Sequence, residues 1–261
     1  MNGAFVFGMD FAYNIIINTF GDMKGKGIMK ITGSLVIELT RRCNMNCAHC
    51  LRGCAQNLDI SKKTIDNALR HFTNITALTL TGGEPSLVPD LIKYTVDRVM
   101  ALGIDLGCLY IVTNGKTYSQ KMVNAMRRAY SYSYEPDMCA LTVSIDEYHD
   151  GSHRAAWYRY QDEPFFQRDK EQPDLSRYLI NEGNAFYNGI GRRNLKVATA
   201  IKEDYVMIED DRINIEDDMI YVNALGDVLL NCDVSYENQY EYMIGNVNDS
   251  KLVDIILSHI I

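Results

Sequence analysis

What this chain lacks narrows its class first. It has no surplus of basic residues: 26 Lys and Arg stand against 34 Asp and Glu, a net charge of −8. A phosphate backbone demands a basic surface, so nucleic acid is disfavoured as a partner. It has no uninterrupted apolar run long enough to cross a membrane. The apolar stretch from Ala4 to Phe20 carries Asp10, Asn14 and Asn18. That stretch also lacks a basic n-region and a small-residue cleavage site, so it does not read as a signal peptide. A disulfide framework is missing too. The seven cysteines are odd in number and irregular in spacing, which points to free thiols in a reducing, cytoplasmic setting. Internal repeats and low-complexity tracts are absent.

What is present is ample core material. Hydrophobic residues make up 47% of 261, enough for one domain with an appendage. Apolar strands alternate with amphipathic helices. Ser34–Thr40 reads as a strand. Ser61 caps a helix carrying Ile65, Ala68, Leu69 and Phe72 at helical spacing. Ala77–Thr81 is a second strand, and Pro89-Asp90 opens a helix that Gly103 stops. Leu109–Thr113, a helix through Met122, Val123, Met126 and Tyr130, and Leu141–Ser144 continue the alternation. Such βα repeats predict a parallel sheet.

Beyond Asp146 the pattern weakens. Residues 147–194 mix charges with aromatics, and the spacing predicts a helix over 175–181, capped by Asp174 and stopped by Gly183. Leu195–Ala200 reads as a fifth strand and Met219–Val222 as a sixth. A turn at Gly226-Asp227 then leads into a returning strand, Val228–Asn231, and a short C-terminal helix.

Three cysteines, Cys43, Cys47 and Cys50, sit at C-x3-C-x2-C spacing just after the first strand. Such a loop can offer three thiolates to three corners of a four-iron cluster, leaving one iron open. A zinc loop would need a fourth N or S ligand from a second pair, which the sequence does not supply. At the next strand end stands Thr81-Gly82-Gly83-Glu84-Pro85. Glycines there allow close backbone approach, and a carboxylate complements an ammonium.

Together the cysteine loop and the Gly-Gly-Glu-Pro strand end resemble the radical S-adenosylmethionine (radical SAM) superfamily. The resemblance implies a partial (β/α)6 TIM-like barrel over residues 29–225, with chemistry at the C-terminal strand ends. It implies a 4Fe–4S cluster on Cys43, Cys47 and Cys50, with SAM chelating the open iron. It places Thr81, Gly82, Gly83 and Glu84 around the SAM amino group, Ser144, Asn114 and Asp146 near its ribose or carboxylate, and His49 near adenine. The implied reaction is reductive SAM cleavage to a 5′-deoxyadenosyl radical that takes hydrogen from a substrate. The electron would come from an external low-potential protein of flavodoxin or ferredoxin type.

Residues 1–28 read as an extension, since Met29-Lys30 makes a natural start. A helix covering one end of the barrel is the alternative. Cys54 reads as a loop cysteine, because a fourth thiolate would close the iron that SAM needs. Cys108 and Cys139 read as core thiols preceding apolar strands. The tail, 226–261, resembles a truncated SPASM-type end, found in peptide-modifying members. It keeps one thiol, Cys232, too few for an auxiliary cluster but enough for a hydrogen donor in an epimerisation. A small peptide is therefore the expected substrate. The rivals are a nucleotide or other small molecule, as for relatives of 7-carboxy-7-deazaguanine synthase or viperin, and a non-catalytic cluster protein.

Overall fold

The computed structural model describes residues 29–144, 148–149, 154–168 and 179–261. The expected extension 1–28, Asp146 and most of the helix expected over 175–181 lie outside the described residues.

The central strand β1 is Lys30–Thr40. On one face, Ile31, Leu35, Ile37 and Leu39 are fully buried in the main core. On the other, Thr32, Ser34, Val36, Glu38 and Thr40 face a different environment, and Val36 belongs to a separate small cluster with Tyr221 and Leu229. This alternation is the period-two pattern of a pleated strand. The other strands align on β1. The parallel series continues through β2 (Phe72–Gly82), β3 (Asp105–Thr113), β4 (Ala140–Val143) and β5 (Phe166–Arg168). Ile37 pairs with Leu80, and Leu80 with Ile111, so the apolar rows are in register.

Helices α1 (Lys62–Leu69), α2 (Pro89–Ala101) and α3 (Gln120–Tyr132) cover the apolar face. Each start is encoded locally. The Ser61 and Ser119 hydroxyls accept from the N–H groups of Thr64 and Met122 at 3.0 and 3.2 Å, and Pro89 occupies the first turn of α2. Gly103, at φ +66°, ends α2 as expected.

Five expectations need correction. Phe72 begins β2 instead of closing α1, and Cys108 sits inside β3. The strand expected at Leu195–Ala200 does not form. Instead, the free flank of β4 is taken by β5 and that of β1 by a later strand. Gly183 opens a helix instead of stopping one: after a short helix α4 (Arg154–Tyr160), α5 runs Gly183–Tyr187. The sixth parallel strand is longer than expected and lies on the opposite flank. A hairpin of β6 (Val206–Glu209) and β7 (Arg212–Val222) turns at Asp210, φ 51°, and β7 pairs parallel with β1.

The result is an open sheet in the order β5-β4-β3-β2-β1-β7-β8-β9. Here β8 (Asp227–Leu229) returns antiparallel from β7 around Gly226, and β9 (Gly245–Asn246) follows it. After β8 come α6 (Gln239–Tyr242) and, at the end, α7 (Leu252–Leu257) against the core. Among the described residues this is an α/β fold with six parallel strands in an unclosed sheet. The C-terminal ends of β1, β2, β3, β4 and β7 therefore meet along one edge, where Arg41, Gly83, Asn114, Ser144 and Asn223 emerge. Among the described residues, no helix is long and apolar enough to cross a membrane.

Candidate active site

The cysteine loop leaves β1 under firm control. The Thr40 hydroxyl donates to Asp59 at 2.6 Å, and Arg42 forks onto the same carboxylate at 2.9 and 2.8 Å. The loop's own carbonyls point outward and need donors. Helix α5 supplies them. The Asn184 N–H donates to the Cys50 carbonyl at 2.8 Å, its side-chain amide to the Cys47 carbonyl at 3.0 Å, and the Asn188 amide to the Ala48 carbonyl at 3.0 Å. The contact is so close that a Cβ on Gly183 would lie 2.4 Å from the Leu51 carbonyl oxygen and 2.7 Å from that of Cys50. At φ +52° this position also favours glycine. Sequence reading missed this clamp. Its only trace in the sequence is the Gly183-Asn184…Asn188 spacing.

Gly82 and Gly83 close the other side. A Cβ on Gly82 would sit 2.4 Å from the Thr40 carbonyl oxygen, and one on Gly83 equally close to that of Arg42. The Gly83 and Glu84 N–H groups donate to those same carbonyls at 2.7 and 2.8 Å. The glycines thus dock the second strand end against the root of the loop. A small pocket remains between them, lined by Cys43, Cys47, Cys50, Gly82, Gly83 and Tyr236.

The Glu84 side chain, expected near the SAM ammonium, is held within the protein. It is 1% exposed, and its oxygens accept from the Ser86 N–H at 2.9 Å, the Thr113 hydroxyl at 2.6 Å and the Asn114 N–H at 2.8 Å. It ties the end of β3 to the end of β2, because the short turn at Pro85–Leu87 folds the carboxylate inward. Asn114, held this way, donates to Asn44 at 2.8 Å and lies against the Cys43 sulfur at 3.9 Å. Burial, joined by the Glu84 charge, pushes the Cys43 thiol up.

Below the pocket lies a buried polar network. Glu38, fully buried, accepts from Arg41 Nε at 2.7 Å, from the Ala224 N–H at 3.0 Å and from the Tyr221 hydroxyl. Gln239 of α6 accepts from Arg41 at 2.6 Å and from Asn223 at 2.9 Å. Arg52 stacks on the Tyr221 ring at 5.1 Å and donates to the Val234 carbonyl at 2.9 Å. Burial opposes the Arg52 charge, but Tyr221, Glu38 and Cys232 around it hold its pKa above the ordinary arginine value. These interactions join β1, the cysteine loop and the C-terminal segment into one unit.

The remaining expected residues are distributed as follows. The His49 ring packs against Tyr148 and His149, at 4.7 and 5.4 Å between centroids. Thr81 pairs with Glu38 across the sheet. The Ser144 N–H donates to the Thr113 carbonyl at 2.9 Å, placing it beside Asn114. Cys54 is exposed, with its sulfur turned toward Asn184. Cys232 lies on the polar face of the sheet, against Val36, Tyr221 and Leu229. Its thiol is pushed up by burial and by Asp233. It borders a cavity of about 860 Å³ that also takes in Thr32, Ser34, Asn74, Thr76 and Asn214.

Among the described residues, no three His, Cys, Asp or Glu side chains converge on a position for a single metal ion. That is the geometry a zinc loop requires. A cubane cluster instead takes each thiolate at a separate iron corner, and Cys43, Cys47 and Cys50 line one pocket. The pocket between them, with a backbone cradle of glycines, fits a cluster-bound ligand.

No protein-family model matches the chain. It is 32% identical over 116 residues to an AdoMet-dependent heme synthase of Methanosarcina barkeri, covering 42% of this chain and 30% of that protein. That likeness agrees with the resemblance to the radical SAM superfamily carried by the cysteine loop and the Gly-Gly-Glu-Pro strand end. A second relative, an uncharacterised protein of Methanocaldococcus jannaschii, is 38% identical over 66 residues, 24% of this chain and 23% of that one. The chain thus spans less than a third of the length of these curated relatives. Among solved structures, native anSMEcpe with bound AdoMet and the Cp18Cys peptide shares the fold. Its TM-score is 0.50 at 11% identity, over 86% of this chain and 80% of that one. BtrN in complex with AdoMet and 2-DOIA gives 0.49 at 15% identity, over 88% and 82%.

Proposed function

We propose that this chain is an active radical SAM enzyme that modifies a peptide. Cys43, Cys47 and Cys50 would hold a 4Fe–4S cluster, and the backbone at Thr81–Gly83 would receive the SAM amino group. The observation that carries this reading is the shared pocket, in which the three cysteines and the two glycines line one space. When bound, the reduced cluster supplies an electron that splits the SAM sulfonium and leaves a deoxyadenosyl radical to abstract hydrogen. The chain's own part is positional. Helix α5 holds the cysteine loop in shape, and Glu84 orients Asn114 and the end of β3. Ser144, beside Asn114, belongs to the same rim.

The polar cavity beneath gives a peptide room on the inner face of the sheet. The solved neighbour anSMEcpe carries a peptide beside its AdoMet, which supports this substrate class. Cys232 borders that cavity, and burial and Asp233 favour its protonated thiol. A protonated thiol can return a hydrogen atom to a substrate carbon radical from the wall of the cavity. The thiol then becomes a thiyl radical, which the external reductant and a proton restore.

The test is anaerobic reconstitution with iron and sulfide counting, followed by EPR with and without SAM. The expected result is one cluster whose signal changes on SAM addition. Cys43→Ala should take deoxyadenosine formation to background, and Cys54→Ala should leave the cluster intact. A signal indifferent to SAM would refute the assignment. For Cys232, the readout is solvent deuterium in the product. Cys232→Ala should still cleave SAM but lose single-deuterium incorporation at the modified carbon.

A further inference from the structure

Tyr236 is buried at 8% exposure, and its hydroxyl has no hydrogen-bond partner among the described residues. Native structures rarely leave a buried hydroxyl unmet, and the exceptions ask for a missing partner. The rest of the residue is fully employed. Its N–H donates to the Arg52 carbonyl at 3.1 Å, just past the cysteine loop. The Arg41 guanidinium sits 4.6 Å over its ring, and that guanidinium is itself fixed by Glu38 and Gln239. The residue is therefore anchored by its backbone and by the Arg41 contact on its ring, and it forms a wall of the pocket shared by Cys43, Cys47, Cys50 and Gly83. Cys50 lies within electrostatic reach of the phenol.

We infer that Tyr236 donates its phenol hydrogen to a sulfur of the cluster, at or beside Cys50. The inference rests on the cluster assignment above and adds to it a tuning group from the C-terminal segment. A phenol is a good donor, and sulfur bound to iron is an anionic acceptor. Hydrogen bonds to cluster sulfurs are among the factors that set the potential. They stabilise the more negative, reduced state, so this bond raises the potential and eases reduction. A segment distant in sequence would thereby set how readily the cluster accepts its electron.

The experiment is an EPR-monitored redox titration of the reconstituted full chain without SAM. Tyr236→Phe keeps the ring under Arg41 and removes only the donor. It should take up the same iron and sulfide as the wild type and titrate at a more negative potential. Replacing Tyr236 by 3,5-difluorotyrosine strengthens the donor and should move the potential the other way. Opposite shifts at constant cluster content establish the bond, since loose packing would not produce them. An unchanged potential in both proteins overturns the inference while leaving the cluster assignment standing. So does a SAM affinity that falls with no change of potential, which would give the phenol to SAM. A wild-type chain that binds no cluster fails the proposed function itself.

Discussion

The two faces of β1 come from one run of residues, yet they do opposite work. Leu35, Ile37 and Leu39 point into a continuous apolar core under α1 and α2. Ser34, Glu38 and Thr40, one residue out of phase, enter a hydrogen-bonded interior that leads up to the cysteine loop. Such a side stabilises by burial, at roughly 25 cal/mol per Å² of apolar surface. The polar side gains little net stability, because its charges are desolvated. Its gain is a fixed geometry: Glu38, Arg41, Tyr221 and Gln239 have few alternative ways to satisfy one another. One face therefore holds the fold together and the other holds the site in shape.

The comparison can be broken by substituting neighbours in the chain. Glu38→Ala should have the largest effect. It strands Arg41 in a buried site and should cost about 3–5 kcal/mol, read by denaturant unfolding. It should also weaken SAM binding, read by the EPR response. Leu39→Ala opens a cavity on the other face and should cost about 2–5 kcal/mol. At a temperature where it remains folded, it should bind SAM normally. Equal losses of SAM affinity in the two variants would show that the faces are not separate in function.

A smaller effect should appear with pH on the outer side. His71 is 3% exposed, close to α1 and α7, and its pKa is lowered by burial and by Arg70, Lys30 and Lys251. The unfolded chain takes up that proton first, near the ordinary histidine value of about 6.5. Stability should thus be complete above that pH and fall as the pH drops toward the lower folded value. In His71→Gln, unfolding free energies measured across this window should lose that slope. Smallest is Ser61→Ala, which removes the cap of α1 and should cost about 1 kcal/mol with no change in cluster content.

Much of the outer face could be read from residues alone. The cap at Ser61, the first-turn Pro89 and the stop at Gly103 all act within a few residues of themselves. Leu195–Ala200 shows the limit of such reading. Its composition suits a strand, but which segment pairs is settled across the whole sheet, where β5 flanks β4 and β7 flanks β1. The hairpin at Asp210 was hidden because half-exposed Val206 and well-exposed Met207 and Ile208 leave no clean alternation.

The site divides the same way. The sequence by itself determined the three thiols, the glycine pair and their place at strand ends, because cluster ligation and close backbone approach depend on spacing within a loop. Only the tertiary structure decided that Glu84 turns inward to brace β3, that Asn184 and Asn188 hold the loop, and that Tyr236 walls the pocket. These roles depend on which carbonyls and hydroxyls lie within about 3 Å of one another. These partners, 29 to 140 positions apart in the chain, reach that distance only after the sheet has formed.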